Sequence, residues 1–108
     1  MNIKRIEHMA GGKGHVIMKD IVGEKELKGK CGLFAEVVLE PGCSLGYHEH
    51  HGDSEIYYIL QGFGDYSENG VFRAVKPGDV LHIASGNGHE LVNTGVSNLV
   101  FIALTILD

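Results

Sequence analysis

The sequence is short of residues that several protein classes require. Among its 108 residues are two cysteines, two prolines and only two arginines, Arg5 and Arg73. Cys31 and Cys43 are too few for a disulfide framework and do not form a CxxC pair, so we expect free thiols in a reducing compartment. The formal charge of -5 and the scarcity of arginine argue against nucleic acid or a large anionic surface as a partner.

Long apolar runs are missing as well. No run of about 18 apolar residues occurs, so we expect no membrane-spanning helix. The first eight residues lack the apolar segment of a secretory signal, and we therefore expect a cytoplasmic protein with no membrane partner. Helical periodicity is nearly absent. Its best candidate, residues 24–28, lies between Gly23 and Gly29 and is interpreted as a solvated loop.

The chain is rich instead in glycine and in short apolar segments. Sixteen glycines and other turn-forming residues separate about nine predicted strands at intervals of about 10 residues. These strands cover residues 16–22, 33–40, 47–51, 55–60, 63–67, 71–75, 80–83, 89–93 and 99–107. The pattern predicts one all-β domain over residues 1–108, a sandwich or a barrel. N-terminal strands and a loop occupy residues 1–32, and the barrel itself occupies residues 33–108.

The last predicted strand, residues 99–107, is apolar on both faces. A strand in a small barrel needs only its inner face to be apolar. We therefore expect the second face to pack against another subunit, which predicts a homodimer. An N-terminal strand of the same chain folded over this face is the alternative. The two sets are Phe101, Ala103 and Leu107 on one face, and Val100, Ile102, Leu104 and Ile106 on the other.

Two segments, residues 42–62 and 78–93, place histidines, a glutamate and glycines at regular spacings. Residues two apart in a strand share a face, so His48 and His50 can reach one point together. Imidazoles with a carboxylate suit Mn, Fe, Ni, Co or Zn as divalent ions and leave coordination positions for substrate or O₂. Neither cysteine lies at a ligand spacing, as a structural zinc site would favour.

Together the two segments resemble the paired signature motifs of the cupin superfamily, which are small jelly-roll β-barrels. The resemblance implies that one divalent transition metal is bound by four ligands: His48, His50, Glu55 and His89. It also places Gly42, Gly62, Gly78 and Gly86 at turns and Asn93 at the end of the second motif's strand. One departure is Ala84, where the family usually has proline. Proline would stiffen that turn, but its loss removes no ligand.

The other histidines are expected to lie outside the metal site. Alternation turns His51 away from His50, and His82 alternates with apolar neighbours and is expected to point out of the barrel. His8 and His15 precede both motifs and are interpreted as surface residues.

Three further positions bear on the pocket. Tyr57 lies two residues after Glu55 on the same face, where its hydroxyl would contact substrate or support a ligand, or its ring would simply fill the barrel. We expect Arg73 to be an exposed hairpin residue. If its face is the inner one, its guanidinium would pair with a substrate carboxylate. Phe63, Leu91 and Phe101 are interpreted as pocket lining or core.

The resemblance implies a function on a small organic molecule. Cupins of this kind are similar to dioxygenases, oxalate-type decarboxylases, sugar-phosphate isomerases and lyases. Few basic residues lie near the motifs, which disfavours a phosphosugar. Decarboxylation of oxalate needs a mobile acid, for which Glu49 and Asp53 are the candidates, whereas dioxygenation needs only the metal and Glu55 as ligand or base. We therefore favour a dioxygenase-type or decarboxylase-type enzyme with Glu55 and Tyr57 as catalytic residues. The alternative is a non-catalytic module that binds or senses a small ligand.

Overall fold

Ten β-strands account for most of the chain, of which the computed structural model describes residues 2–108. A short 3₁₀ turn (Met9–Gly11) and the helix α1 (Glu24–Leu27) are the helical elements in this part of the chain. The strands are β1 (Ile3–Glu7), β2 (His15–Asp20), β3 (Cys31–Leu39), β4 (Ser44–Glu49), β5 (Asp53–Gln61), β6 (Gly64–Glu68), β7 (Val71–Val75), β8 (Val80–Ile83), β9 (Gly88–Val92) and β10 (Leu99–Leu107).

The strands form two antiparallel sheets that enclose one core. The larger has the order β1-β2-β3-β10-β5-β8, and the smaller has the order β4-β9-β6-β7. In the central strands β3, β5 and β10, buried residues alternate with less buried ones, as expected for a sheet with one covered face. The arrangement confirms the predicted all-β jelly roll. Residues from both sheets meet in the core, including Val37, Leu39, Ile59, Leu81, Leu91, Leu99 and Phe101.

Two local predictions were wrong. The strand β1 is missing from the predicted strands, because Ile3 and Ile6 do not alternate with polar residues at a period of two, yet it pairs with β2 along its whole length. Residues 24–28 were interpreted as a loop, but Glu24–Leu27 form one helical turn. The Glu26 carboxylate accepts the Gly23 backbone N–H at 3.0 Å, which satisfies a donor that the helix start leaves unpaired. No helix among residues 2–108 is long and apolar enough to cross a membrane.

The outer face of the six-stranded sheet remains apolar at its centre. Val100, Ile102 and Leu104 are half-buried there, and Tyr58 and Val80 on the flanking strands are 46% and 61% exposed. The strand β1 extends the edge of this sheet beside β2 instead of folding across the face. The alternative of an N-terminal cover is therefore wrong for β1.

A register shift changes the end of β10. The shift lies between Thr105 and Ile106. Ile106 and Leu107, which follow the shift, are both exposed, at 38% and 41%. The buried part of this strand therefore ends at Thr105.

The motif glycines and Asn93 shape the turns around the core. The predicted turn glycines Gly42, Gly62, Gly78 and Gly86 all have φ between +81° and +93°. At Gly62 a Cβ would also collide with the Asn98 carbonyl, so both the positive φ and the lack of space require glycine. Asn93 directly follows β9 and is buried. Its Nδ2 donates to the carbonyls of Leu39 and Ser97, and its Oδ1 accepts the Gly95 N–H, each at 2.8 Å.

Candidate metal centre

The four predicted ligands converge inside the jelly roll. Their ligand atoms all lie within 4.8 Å of one another. His89 Nε2 is the central atom, 3.0 Å from His48 Nε2 and 3.1 Å from both His50 Nε2 and Glu55 Oε1. His50 Nε2 also lies 3.1 Å from Glu55 Oε1. The side chain of His48, 26% exposed, is the most accessible of the four and marks the side that opens to solvent.

Strand pairing brings these residues together. His48 on β4 lies directly opposite His89 on β9, so the two imidazoles share a face. His50 lies just beyond the end of β4, where its N–H donates to the Asn87 carbonyl at 3.0 Å and its carbonyl accepts the Gly86 N–H at 2.5 Å. Alternation thus predicted the right direction for the His50 side chain, although β4 ends at Glu49, one residue before His50.

Each imidazole has its other nitrogen fixed by an acceptor. His48 Nδ1 donates to the Gly46 carbonyl at 2.8 Å, and His50 Nδ1 donates to the Asp53 carboxylate at 2.9 Å. His89 Nδ1 lies 3.1 Å from the Tyr66 hydroxyl. When the proton of a neutral imidazole is on Nδ1, the lone pair is on Nε2, so all three lone pairs point to the same place.

This donor set fits a divalent metal ion. Three imidazole lone pairs and a carboxylate oxygen about 3 Å apart repel one another unless a cation lies between them. With metal–ligand bonds of about 2.1 Å, neighbouring ligands are about 3.0 Å apart in an octahedron and about 3.4 Å apart in a tetrahedron. The distances from His89 Nε2, 3.0 and 3.1 Å, lie near the octahedral value, whereas His48 Nε2 and Glu55 Oε1 are 3.8 Å apart.

Glu55 is a buried carboxylate whose two oxygens have different surroundings. Oε1 faces the imidazoles, whereas Oε2 accepts the Thr105 hydroxyl at 2.8 Å. Burial alone would raise the pKa of Glu55. In the metal-free site, where the imidazoles can carry a proton on Nε2, hydrogen bonds from His48, His89 and Thr105 outweigh it, and the pKa lies well below its usual range. Glu55 is therefore an anion, as a metal ligand must be. Burial in turn lowers the pKa of His89, which favours the neutral imidazole.

Two tyrosines contact His89. The Tyr57 ring stacks on the His89 ring, with centroids 5.0 Å apart, and its hydroxyl is 3.4 Å from Nε2. The ring therefore fills the core, and the hydroxyl also reaches the site. Burial, with the nearby Glu55 anion, raises the pKa of Tyr57 well above its ordinary value, so the phenol stays protonated. Tyr66, which binds His89 Nδ1, was not predicted from the sequence.

The remaining histidines are not part of the site, as predicted for His51 and His82. His51 is exposed and bonds Glu49 at 3.2 Å, and His82 is exposed on the outer face opposite Ile56. His8 is exposed, and its Nδ1 donates to the Gly12 carbonyl at 3.1 Å. His15 is a correction, because its side chain is only 14% exposed and pairs with Glu40.

Arg73 agrees with its predicted exposure, whereas Phe63 differs from its predicted role. Arg73 is exposed as predicted, but it lies opposite Tyr66 in the strand pairing, and its guanidinium is 5.8 Å from the centre of the Tyr66 ring. It therefore lies on the inner-facing side of β7, beside a surface cavity of about 480 Å³ that Tyr66 and Glu68 also line. Phe63 was predicted as lining or core but precedes β6 in a turn and is 61% exposed. Leu91 and Phe101 are core residues, as predicted.

The two acids predicted as candidates for decarboxylation, Glu49 and Asp53, both form hydrogen bonds with other side chains. Asp53 accepts the His50 Nδ1–H, and Glu49 accepts the Tyr47 hydroxyl at 2.9 Å and contacts His51. Glu68 was not considered from the sequence. It lies opposite His89 in the pairing of β6 with β9, so the two side chains share a face. Cys31 and Cys43 are free thiols, as predicted.

Comparison with known proteins agrees with this geometry. The family model described as "Cupin domain" matches residues 35–105. An "Oxalate-binding protein" of Thermotoga maritima is 44% identical over 104 residues, covering 96% of this chain and 86% of the relative. The crystal structure of a "predicted oxalate decarboxylase" from the same organism superimposes with a TM-score of 0.96 at 42% identity, covering 100% and 94% of the two chains. A cupin barrel protein from Salinispora arenicola, 21% identical over 97% of this chain and 81% of its own, has a TM-score of 0.77 and shows the fold alone.

Proposed function

Because the chain belongs to the cupin family, we propose that it binds oxalate through one divalent transition metal ion held by His48, His50, Glu55 and His89. When bound, the ion supplies a positive charge to which two carboxylate oxygens can bind. The chain's own residues supply the ligands, fix their orientation and surround the site with apolar side chains. The identity of the ion depends on availability, since Mn, Fe, Ni, Co and Zn all accept this ligand set.

The position of His89 carries the proposal. In an octahedral set, a ligand lies about 3.0 Å from its neighbours and about 4.2 Å from the ligand opposite. His89 Nε2 is 3.0 or 3.1 Å from all three other ligand atoms, so none of them is opposite to it. These four residues would hold an octahedral ion from one side, with two adjacent positions left for a ligand. Two adjacent free positions suit a small ligand that binds through two oxygens, as oxalate does.

The relative named for oxalate binding supports the choice of ligand. The test is calorimetric titration of the metal-loaded protein with oxalate, with acetate and succinate as comparison ligands. We expect a one-to-one complex with oxalate that is lost in Glu55→Ala, which removes a ligand. The control His82→Ala removes an exposed imidazole on the outer face and is expected to bind oxalate normally. Metal-loaded protein that gives no heat with oxalate would contradict the proposal.

Decarboxylation of oxalate is a second candidate function, and Glu68 favours it. The reaction breaks the C–C bond of hydrogen oxalate, releases CO₂ and places a proton on the remaining carbon to give formate. Glu68 shares a face with His89 and lines the cavity beside Tyr66, and in this scheme it would deliver that proton and recover one from hydrogen oxalate. In this scheme Glu55 remains a ligand, and the Tyr57 hydroxyl donates to the bound carboxylate. Formate production that disappears in Glu68→Gln, with oxalate binding retained, would support catalysis.

Dioxygenase-type chemistry stays a prediction from the sequence. Oxygen uptake by the metal-loaded protein with catechols, flavonols or β-diketones would support it. If neither formate nor oxygen uptake is found while oxalate binds tightly, the protein is a binding module.

We also propose that the outer face of the six-stranded sheet pairs with a second copy in a homodimer. Tyr58, Leu60 and Val80 are 46%, 42% and 61% exposed there, beside the half-buried apolar residues of β10. A two-fold axis would place the same patch on both partners, and continuous apolar surface is typical of such interfaces. A cytoplasmic location and the lack of nucleic-acid or membrane partners stay predictions from the sequence.

A further inference from the structure

Thr105 is a single polar side chain on the inner face of an otherwise apolar strand. Thr105 lies directly opposite Glu55 in the pairing of β10 with β5, and it is only 8% exposed. Its hydroxyl donates to Glu55 Oε2 at 2.8 Å. This bond is fixed by strand register, because both backbones are held in the sheet on either side of the contact.

The bond gives the two oxygens of the Glu55 carboxylate different partners. Oε1 lies 3.1 Å from His50 Nε2 and from His89 Nε2, within the ligand set, while Oε2 is turned to Thr105. A carboxylate without such a bond can place both oxygens on one ion. The second oxygen would then take one of the two adjacent free positions, and a ligand that binds through two oxygens would lose its place.

We propose that Thr105 is a positioning residue that keeps Glu55 a one-oxygen ligand and so preserves two adjacent positions for a chelating substrate. The inference rests on the metal-binding part of the proposed function, and it does not depend on which substrate binds. The donor set that it concerns fits a divalent ion, as shown by the distances among the four ligand atoms.

The test counts the water molecules that bind to Mn²⁺ in the protein. Water-proton relaxation of Mn²⁺-loaded protein is compared for the wild type, Thr105→Val and Thr105→Ser, each at measured metal content. Valine has the shape of threonine without the donor, whereas serine keeps the hydroxyl. We expect the inner-sphere relaxation in Thr105→Val to fall to about half, because one of two water positions is taken by Oε2, and serine to restore it.

A second background separates positioning from general damage to the fold. In Glu55→Gln the side chain keeps one oxygen and cannot chelate, so adding Thr105→Val should leave the relaxation of that variant unchanged. If the valine variant does not fold, Thr105→Ala takes its place in both backgrounds.

Ligand binding gives an independent readout. Thr105→Val should weaken oxalate at least tenfold and leave azide, which binds through one atom, within about twofold. A folded, Mn²⁺-loaded Thr105→Val protein with the relaxation of the wild type would overturn the inference. The relaxation is measured without oxalate, so a wild type that does not bind oxalate would refute the proposed function and leave this test intact.

Discussion

The hydrogen bond between Tyr66 and His89 can be removed by replacing Tyr66 with Phe, which deletes one oxygen and keeps the ring. His89 Nδ1 lies 3.1 Å from that oxygen, and both residues are 1% exposed, so solvent cannot replace it. In the metal-free variant, His89 can move its proton to Nε2 and donate to Glu55 Oε1, 3.1 Å away. In the metal-bound variant His89 cannot move its proton to Nε2, because Nε2 must bind the ion.

The metal-bound state therefore carries the cost of an unpaired buried N–H, which is about 1–3 kcal/mol. At about 1.4 kcal/mol for each factor of ten, the dissociation constant for the metal should rise by roughly 5-fold to 150-fold. This range overlaps the 10-fold to 100-fold effects that are usual for residues supporting a metal ligand. The free energy of unfolding of the metal-free protein should change much less.

The measurement is a competition titration against a chromophoric chelator, with the fold checked by circular dichroism. Tyr58→Phe is the matched control, since it makes the same change at an exposed tyrosine on the outer face, and it should leave the affinity within twofold. A folded Tyr66→Phe protein that binds metal as tightly as the wild type would refute the reasoning. His89 would then have no need of Tyr66 to hold its tautomer.

Three further outcomes are expected. Metal at 100 times its dissociation constant should add about 2.7 kcal/mol to the free energy of unfolding and raise Tm by about 10 °C or more, and His50→Ala should abolish the shift that a thermal scan detects. Asn93→Ala removes one buried and two part-buried hydrogen bonds and should cost about 2–4 kcal/mol in urea unfolding, whereas Asn98→Ala, at an exposed position in the same loop, should cost less than about 0.5 kcal/mol. Sedimentation equilibrium should show a dimer that Tyr58→Asp dissociates and Val96→Asp, at a 98% exposed site, does not; a wild-type monomer at high concentration would contradict the proposed interface.

The ligand set could be predicted because it depends on local spacing. His48 and His50 are two apart, and Glu55 and His89 occupy matching places in two recognisable segments. Alternation along a strand then fixes which side chains share a face.

Tyr66 and Thr105 could not be placed in the same way. Their roles depend on which strands become neighbours, β6 beside β9 and β10 beside β5, and that order is a property of the whole fold. A tyrosine in a strand is usually core. The available signal for Thr105 was that it is polar within the apolar segment 99–107, on the face of Phe101.

The errors at the level of secondary structure have local causes. The strand β1 lies at a sheet edge, where both faces tolerate charge, so it has no alternating apolar pattern that would reveal it. Phe63 belongs to a turn whose neighbour Gly62 has a φ of +86°, which directs the ring outward and leaves it exposed. Register shifts such as that between Thr105 and Ile106 leave no mark in hydrophobic periodicity.

The four ligands come from both layers of the molecule: His48 and His89 lie on the smaller sheet, His50 lies just past the end of its strand β4, and Glu55 lies on the larger sheet. A bound ion would thus cross-link the two sheets, in addition to binding a ligand. Heat tolerance and chemical selectivity would then depend on the same few atoms. Redesign of the metal ligands for a different substrate would also change the stability of the contact between the two sheets. Stability and selectivity could therefore not be adjusted separately.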